Sequence, residues 1–448
     1  MGLSANYKRS DSTSVSNFHR LIYAAIANVI RRHPILSAIP IDEDTTNPYF
    51  ARLPCVDLKK CVFFVQRRQP LAVDAEAEDN ELDAVLEDQH NTNFKAEYGN
   101  LPFWRLIILQ NPGVEDTFTA SFIFYHGVGD GVAGLTFHNS FRDALNTISS
   151  SALESKTEHI FVSDDVPLLP PLEELHPLPI SDIAAKPTTE VLKEWTGNPI
   201  HLPCVSHLKS LALSPSTSKA FIQDCKKNNV TVTSALPSLI AAILYNILPP
   251  TTEALTCIIP VSLRPWLPRH IVNGEMGTWI DAFKVQFLRL DQNIENPVSD
   301  TEAISNLSEL WAQAQNTLQA IKSYLTATPS GEPYVNVALF KSIPDVSAIF
   351  NSTIGKERDS AFEVSNLGVV SNFTSQDPST AGNDPVWQVG KVTFSRSSVV
   401  SGSAITINVV TGGNGGMTLG FTWQEGIVED KFVEGVVSGV RNFFEAYS

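Results

Sequence analysis

The chain has 448 residues, 43% of them hydrophobic, and a formal net charge of −16 at pH 7. That length is enough for two sizeable cores, and so acidic a balance without a long basic run excludes nucleic acid as an expected partner. Five cysteines (Cys55, Cys61, Cys204, Cys225, Cys257) stand scattered, with no Cys-x-x-Cys pair. They speak against a disulfide framework and a zinc site, and for a reducing, cytoplasmic setting.

Residues 1–6 lack the apolar core of a signal segment. The longest early apolar run, 21–30, is too short to span a bilayer and contains Asn28, so no membrane partner is expected. Residues 18–32 carry apolar side chains at helical spacing and stop at His33-Pro34, which predicts an amphipathic helix ended by proline. Residues 35–70 read as short strands and turns, and 74–89 as an acidic surface helix or loop. Strands over 106–109 and 118–125 are expected to pair around Asn111-Pro112-Gly113. A helix over 133–148 follows, its buried side lined by Leu135, Phe137, Phe141, Ala144, Leu145 and Ile148.

Ser, Pro and acidic residues dominate 149–199, the expected crossover between two halves. Beyond it lie a strand at 205–213, a helix at 216–227 and a long apolar helix at 233–247 with Pro237 in its first turn. Strands at 257–263 and 278–290, a helix at 304–324, strands at 389–394, 404–410 and 417–423, and a helix at 430–447 complete the chain. Strands and helices alternate in both halves. The expected fold class is therefore α/β, two lobes each with a mixed sheet flanked by helices. Residues 1–160 would form the N-terminal lobe, 161–200 the crossover linker and 201–448 the C-terminal lobe.

The densest chemical signal is Phe122-Ile123-Phe124-Tyr125-His126-Gly127-Val128-Gly129-Asp130-Gly131. A buried strand delivers a histidine into a glycine-studded turn, with an aspartate four residues later. A histidine at the end of a rigid strand is well placed to act as a general base. His126, Asp130 and His138 do not make a metal set, because the turn offers no i, i+4 face and no cysteine joins them. No metal is expected. Gly412 to Gly416 lacks the Lys-Ser/Thr and the following helix of a phosphate loop, and reads as a strand connector.

Tyr125-His126 through Asp130-Gly131 resembles the His-His-x-x-x-Asp-Gly signature of the chloramphenicol acetyltransferase-like superfamily. That group includes plant BAHD acyltransferases, peptide-synthetase condensation domains and alcohol acetyltransferases. Five further segments, 30–36, 102–106, 134–138, 259–265 and 364–368, follow in order and are most similar to the fungal-type alcohol acetyltransferase branch. Tyr125 stands where the signature has its first histidine, and the Asp-Phe-Gly-Trp-Gly motif of the plant branch is absent. The chain begins close to the first expected strand, so an N-terminal helix of relatives is expected to be missing or shortened.

The resemblance implies two lobes with a tunnel between them and His126 at its middle. Acyl-CoA would enter as co-substrate from one side and a small alcohol or amine from the other, with no permanently bound cofactor and a monomeric enzyme. It implies His126 as the base, and Asp130 turned away from it to pair with Arg264 and pin the loop. Gly131 would permit a backbone conformation that other residues resist, and Ser365 and Asn366 would offer oxyanion or substrate contacts. Two other readings stay open: a condensation-like or cyclase enzyme on the same fold, using a carrier-protein thioester or non-transfer chemistry, and a catalytically inert two-lobed binding protein.

Overall fold

In the computed structural model the strands on either side of the Asn111 turn lie together, Trp104–Gln110 antiparallel to Thr117–Phe124 with Trp104 opposite Phe124. The structure describes residues 1–10, 17–71, 78–113, 116–148, 159–180, 192–289, 307–326, 335–370 and 386–446. Gly2–Arg9 pairs antiparallel with the other side of Thr117–Phe124, and Val62–Gln66 runs parallel to Trp104–Gln110. Trp387–Ser395 closes the far edge against Gly2–Arg9, completing a five-stranded sheet. A six-stranded sheet runs in the order Ile280–Leu288, Ala254–Ser262, Phe362–Val369, Ile405–Thr411, Met417–Gln424, Ser206–Ala212. Its three central strands are parallel where they pair, and its outer pairings are antiparallel.

Alternation of buried residues decides which face each strand offers. On the first sheet Leu106, Ile108, Ala120 and Phe122 meet the helices Phe18–Arg32 and Gly131–Thr147. Phe122 stacks on Phe137 of the second helix at 3.7 Å between ring centroids. On the second sheet Ile407, Val409, Leu419 and Phe421 pack with Leu239, Leu244, Val436 and Val440 of the helices Val232–Ile247 and Asp430–Glu445. Val232–Ile247 opens on a reciprocal cap between Thr231 and Ser234. Its start at Val232 puts Pro237 in the second turn rather than the first, where one intrahelical hydrogen bond is lost.

Three features depart from the expectations. The acidic segment forms the helix Asn80–Asn91, and it is a brace rather than a surface element. Leu82 and Leu86 pack against Ile107, Ile123 and Leu208. Asn91, Glu87 and Asp83 accept from the backbone N–H groups of Ser206, Leu208 and Ser210. Two carboxylates and a carboxamide thus cover the open edge of Ser206–Ala212. Next, Trp387–Ser395 falls by position in 201–448 yet hydrogen-bonds to Gly2–Arg9. One cut at the crossover therefore does not separate the two sheets. The crossover itself carries Ile160–Val162, paired with Cys55–Asp57, and the short helix Leu172–Leu175; residues 181–191 lie outside the described residues. Among the described residues no single helix is long and apolar enough to cross a membrane.

Candidate functional site

The histidine loop starts where Thr117–Phe124 ends. Tyr125 N–H donates to the Phe103 carbonyl at 2.9 Å, and Val128 N–H returns to the Tyr125 carbonyl at 3.0 Å, closing a turn with Val128 buried. Asp130 then caps the helix Gly131–Thr147 by accepting from Ala133 N–H at 3.0 Å. Gly129 is required by contact here, whereas a side chain at Gly131 would need the end of the Leu367 side chain to move aside. A Cβ on Gly131 would lie 2.4 Å from Leu367 Cδ2, and one on Gly129 would lie 2.4 Å from Ala133 Cβ. Gly131 is not among the residues of positive φ, so the expected unusual backbone is replaced by close approach of the strand Phe362–Val369.

Asp130 is fully buried, and its carboxylate is held from the other half of the chain. Arg264 Nη1 donates to Oδ2 at 2.6 Å, and the backbone N–H of Trp279 donates to the same oxygen at 3.0 Å. Arg264 Nη2 donates to the Gly277 carbonyl at 3.2 Å, which also accepts from Asp130 N–H at 3.2 Å. The guanidinium lies 4.8 Å from the Trp279 ring centroid. The structure thus brings Asp130, Gly131 and Arg264 together, and Asp130's side-chain partners are Arg264, Trp279 and Ala133 rather than the imidazole.

His126 sits just beyond this clamp, mostly withdrawn from solvent. Thr278 Oγ1 donates to its backbone carbonyl at 2.9 Å. Burial and the nearby Arg396 push the imidazole down to about 4, against weaker opposing contributions from its own carbonyl and Asp130. Arg396 directly follows Ser395, which pairs with Gly2 and through it lies level with Ile123. It forms an ion pair with Glu363 of the second sheet, both side chains nearly buried. This pair and the Gly277–Trp279 segment carry the site's electrostatics and support, and neither was read from the sequence.

Ser365 and Asn366 are separated by the pleat. Glu363, Ser365 and Leu367 share the face toward the first sheet, with Glu363 on Arg396 and Leu367 against Gly131. Asn366 faces the other way. Its amide donates to Thr233 Oγ1 at 3.1 Å, and its carbonyl oxygen accepts from Gly368 N–H at 2.9 Å. Both its polar groups are engaged, the amide nitrogen joining the strand to the helix Val232–Ile247 and the oxygen pinning the strand's own end. Period-two alternation in the sequence was the signal that separates the two neighbours.

Tyr125 donates to Glu43 Oε2 at 2.8 Å, tying the loop to the turn of the hairpin Ala38–Ile41/Tyr49–Arg52. His138 is buried between Tyr7 Oη at 2.9 Å and the Leu3 carbonyl at 2.8 Å, a packed position away from the loop. Among the described residues no group of three or more His, Cys, Asp or Glu could hold a metal ion. A cleft of about 1680 Å³ lies on the first sheet beside Asn80–Asn91, lined by Phe63, Val65, Arg67 and Ile107 without His126. It is not the place where the motif residues converge.

A family profile described as alcohol acetyltransferase matches residues 72–438. Over 453 aligned positions the chain is 49% identical to the probable alcohol acetyltransferase crmB of Aspergillus fumigatus, covering all of this chain and 95% of that protein. It is 24% identical to the probable alcohol acetyltransferase FCK4 of Fusarium pseudograminearum, over 96% of this chain and 86% of that one. Among solved structures it is similar to the TRI3 trichothecene 15-O-acetyltransferase of Fusarium sporotrichioides, with a TM-score of 0.72 at 14% identity over 100% of this chain and 90% of that one. The first condensation domain of the calcium-dependent antibiotic synthetase gives 0.58 at 11% identity, over 100% and 90% of the two chains. These two structures bear on the fold, which is the two-lobed α/β architecture of acetyltransferases and condensation domains. Matched over most of its length by the profile and at nearly half its positions by a relative, the chain belongs to the alcohol acetyltransferase family.

Proposed function

We propose that this protein transfers an acyl group, acetyl in the first instance, from acyl-CoA to a hydroxyl of a small metabolite, with His126 as general base. The observation that carries this reading is where the loop puts the imidazole: at the end of the strand Thr117–Phe124, mostly withdrawn from solvent beside the Asp130–Arg264 clamp, with burial and Arg396 disfavouring its charged form. An alcohol is a poor nucleophile at neutral pH. The neutral imidazole takes the hydroxyl proton as the oxygen attacks the thioester carbonyl carbon, giving a tetrahedral oxyanion. As that intermediate collapses the C–S bond breaks, and the imidazolium returns the proton to the departing thiolate. Ester and free thiol leave, the imidazole is restored, and no acyl-enzyme forms. Burial that disfavours imidazolium in the resting protein is offset in the transition state, where the oxyanion develops beside it.

The pH dependence follows from the base having to be neutral. Activity is present above the imidazole pKa and is lost as pH falls through it. The acid limb of kcat/KM is expected near pH 4, where burial and Arg396 set it, instead of near 6.5, the ordinary histidine value. Initial rates of thiol release between pH 3.5 and 7 would show it.

Ser365 is the better of the two oxyanion candidates because it shares the Glu363 face, toward the first sheet and Arg396. Ser365→Ala is expected to lower kcat about 10²-fold with an unchanged melting temperature. Asn366→Ala, which breaks the links to Thr233 and Gly368, is expected to lower stability by about 1–3 kcal/mol. Parallel kinetics and thermal melts of the two variants separate the roles.

The test of the whole proposal is thiol release from acetyl-CoA with a panel of primary, secondary and phenolic alcohols and of amines. Acceptor-dependent release together with the matching ester supports it. Folded protein that releases no thiol with any acceptor, but acylates from a carrier-protein thioester, would move the donor assignment to the condensation-like alternative.

A further inference from the structure

We propose that Arg396 is a second catalytic residue, its guanidinium donating to the oxyanion that forms at the thioester carbonyl beside His126. Resting on the acyl-transfer reading with His126 as base, it supplies the electrophilic half of that reaction.

Strand direction brings Arg396 to the site. Trp387–Ser395 and Thr117–Phe124 both run antiparallel to Gly2–Arg9, so the two point the same way, and Ser395 and Ile123 lie level across Gly2. Arg396 therefore leaves the sheet at the end where the histidine loop leaves it, two strands away. From the other lobe the strand Phe362–Val369 faces this end. Alternate residues share a face: Glu363 holds the Arg396 guanidinium, and Leu367 packs against Gly131 of the histidine loop. Ser365 lies between them, one two-residue step from each, or about 6–7 Å along the strand. A carbonyl oxygen seated over Ser365 is thus flanked by the histidine loop on one side and by Arg396 on the other.

The charges fit that place. The Arg396 and Glu363 side chains are 11% and 9% exposed, so the guanidinium is fixed by an ion pair largely out of water. Glu363 engages it at Nη1. Arg396 Nε and Nη2 make no hydrogen bond among the described residues, and neither is sealed from solvent, so both can serve a ligand. Burial first and Arg396 second lower the His126 pKa, which weakens the resting base. That handicap is lifted once an anion develops between the two groups. The alcohol oxygen bonds to the carbonyl carbon, the C=O pair moves onto oxygen, and that oxygen lies between imidazolium and guanidinium. As the C–S bond breaks the pair returns to the carbonyl, so Arg396 lends hydrogen bonds and keeps its own protons throughout. Donors held in place for such an oxyanion act on the transition state more than on the ground state.

Arg396→Met is expected to lower kcat about 10²-fold with KM for acetyl-CoA unchanged. The comparison is made at pH 8, where the imidazole is neutral in every variant and protonation of the base does not contribute. With the cation gone the imidazole pKa rises, so the acid limb should move up from near pH 4 toward the ordinary histidine value. Arg396→Lys keeps the charge without the planar fork and should fall between the two. Should Arg396→Met fail to fold because Glu363 is left buried without its partner, Arg396→Met with Glu363→Gln carries no unpaired charge and serves the same comparison. Wild-type kcat at pH 8 in either folded variant would overturn the proposal even with a displaced acid limb, because Arg396 would then act on the base alone. A raised KM for acetyl-CoA at unchanged kcat would overturn it too, making the guanidinium an anchor for the donor's phosphates. Failure of the base reading shows separately. If His126→Gln keeps full turnover that reading falls, while adding Arg396→Met to His126→Gln still lowers or spares the rate at pH 8 and so decides the oxyanion role.

Discussion

Alanine at position 126 is expected to slow acyl transfer by roughly 10²- to 10⁴-fold, the range for loss of a general base, with the KM for acetyl-CoA nearly unchanged. The fold should suffer far less than the rate. What shapes the loop is the buried Val128, the Asp130 clamp and the contact of Gly131 with Leu367, and none of these uses the imidazole. His126→Gln sharpens the test. Glutamine can donate and accept hydrogen bonds but cannot hold a proton near neutral pH, so it should fall to the same low rate as alanine. A glutamine variant within tenfold of wild type would mean that the side chain orients the acceptor and does not take its proton. Thiol release with the best acceptor of the panel, beside a thermal melt of each variant, distinguishes these results.

The histidine loop was legible because its chemistry is local. Strand, glycine turn, aspartate cap and helix succeed one another within 31 residues, Thr117 to Thr147, and each has a short-range signature. The supports around it were not legible for the converse reason. Thr278 meets a carbonyl 152 positions away, and nothing in Gly277-Thr278-Trp279 distinguishes it from the start of any edge strand. Trp387–Ser395 shows the alternation common to every strand in the chain, and that pattern does not say which sheet will accept it. Its place depends on the open edge of Gly2–Arg9, nearly 400 residues earlier by the register Gly2 to Ser395. The acidic helix Asn80–Asn91 reads as solvated because charge pattern cannot tell a carboxylate in water from one receiving backbone N–H groups. Ser365 and Asn366 are different. Their placement on opposite faces was available from the two-residue period of a strand, and only treating neighbours as a pair obscured it.

Asp130→Ala should produce the largest loss of stability of any single change at the site, roughly 3–5 kcal/mol, the cost of leaving one member of a buried ion pair without its partner. Three donors lose their acceptor at once: Arg264 Nη1, Trp279 N–H and Ala133 N–H. The Ala133 contact is also the cap of Gly131–Thr147, itself worth about 0.5–2 kcal/mol. Arg264→Met leaves the Asp130 carboxylate buried with two backbone donors but no cation, and should cost a comparable amount. The two losses should not add. With both partners gone neither unpaired charge remains, so the double variant is expected to be more stable than the sum of the single effects by about 1–3 kcal/mol. Denaturant unfolding of the four proteins measures that coupling. The kinetic signature separates this clamp from a proton relay. Asp130 makes its bonds to Arg264 and to backbone amides and raises the imidazole pKa only weakly, so Asp130→Asn should lower kcat and stability together while the acid limb of the pH profile moves only slightly lower. An Asp130→Asn protein of wild-type stability with a strongly displaced acid limb would instead make Asp130 chiefly an electrostatic partner of the imidazole, and the clamp would be incidental to its role.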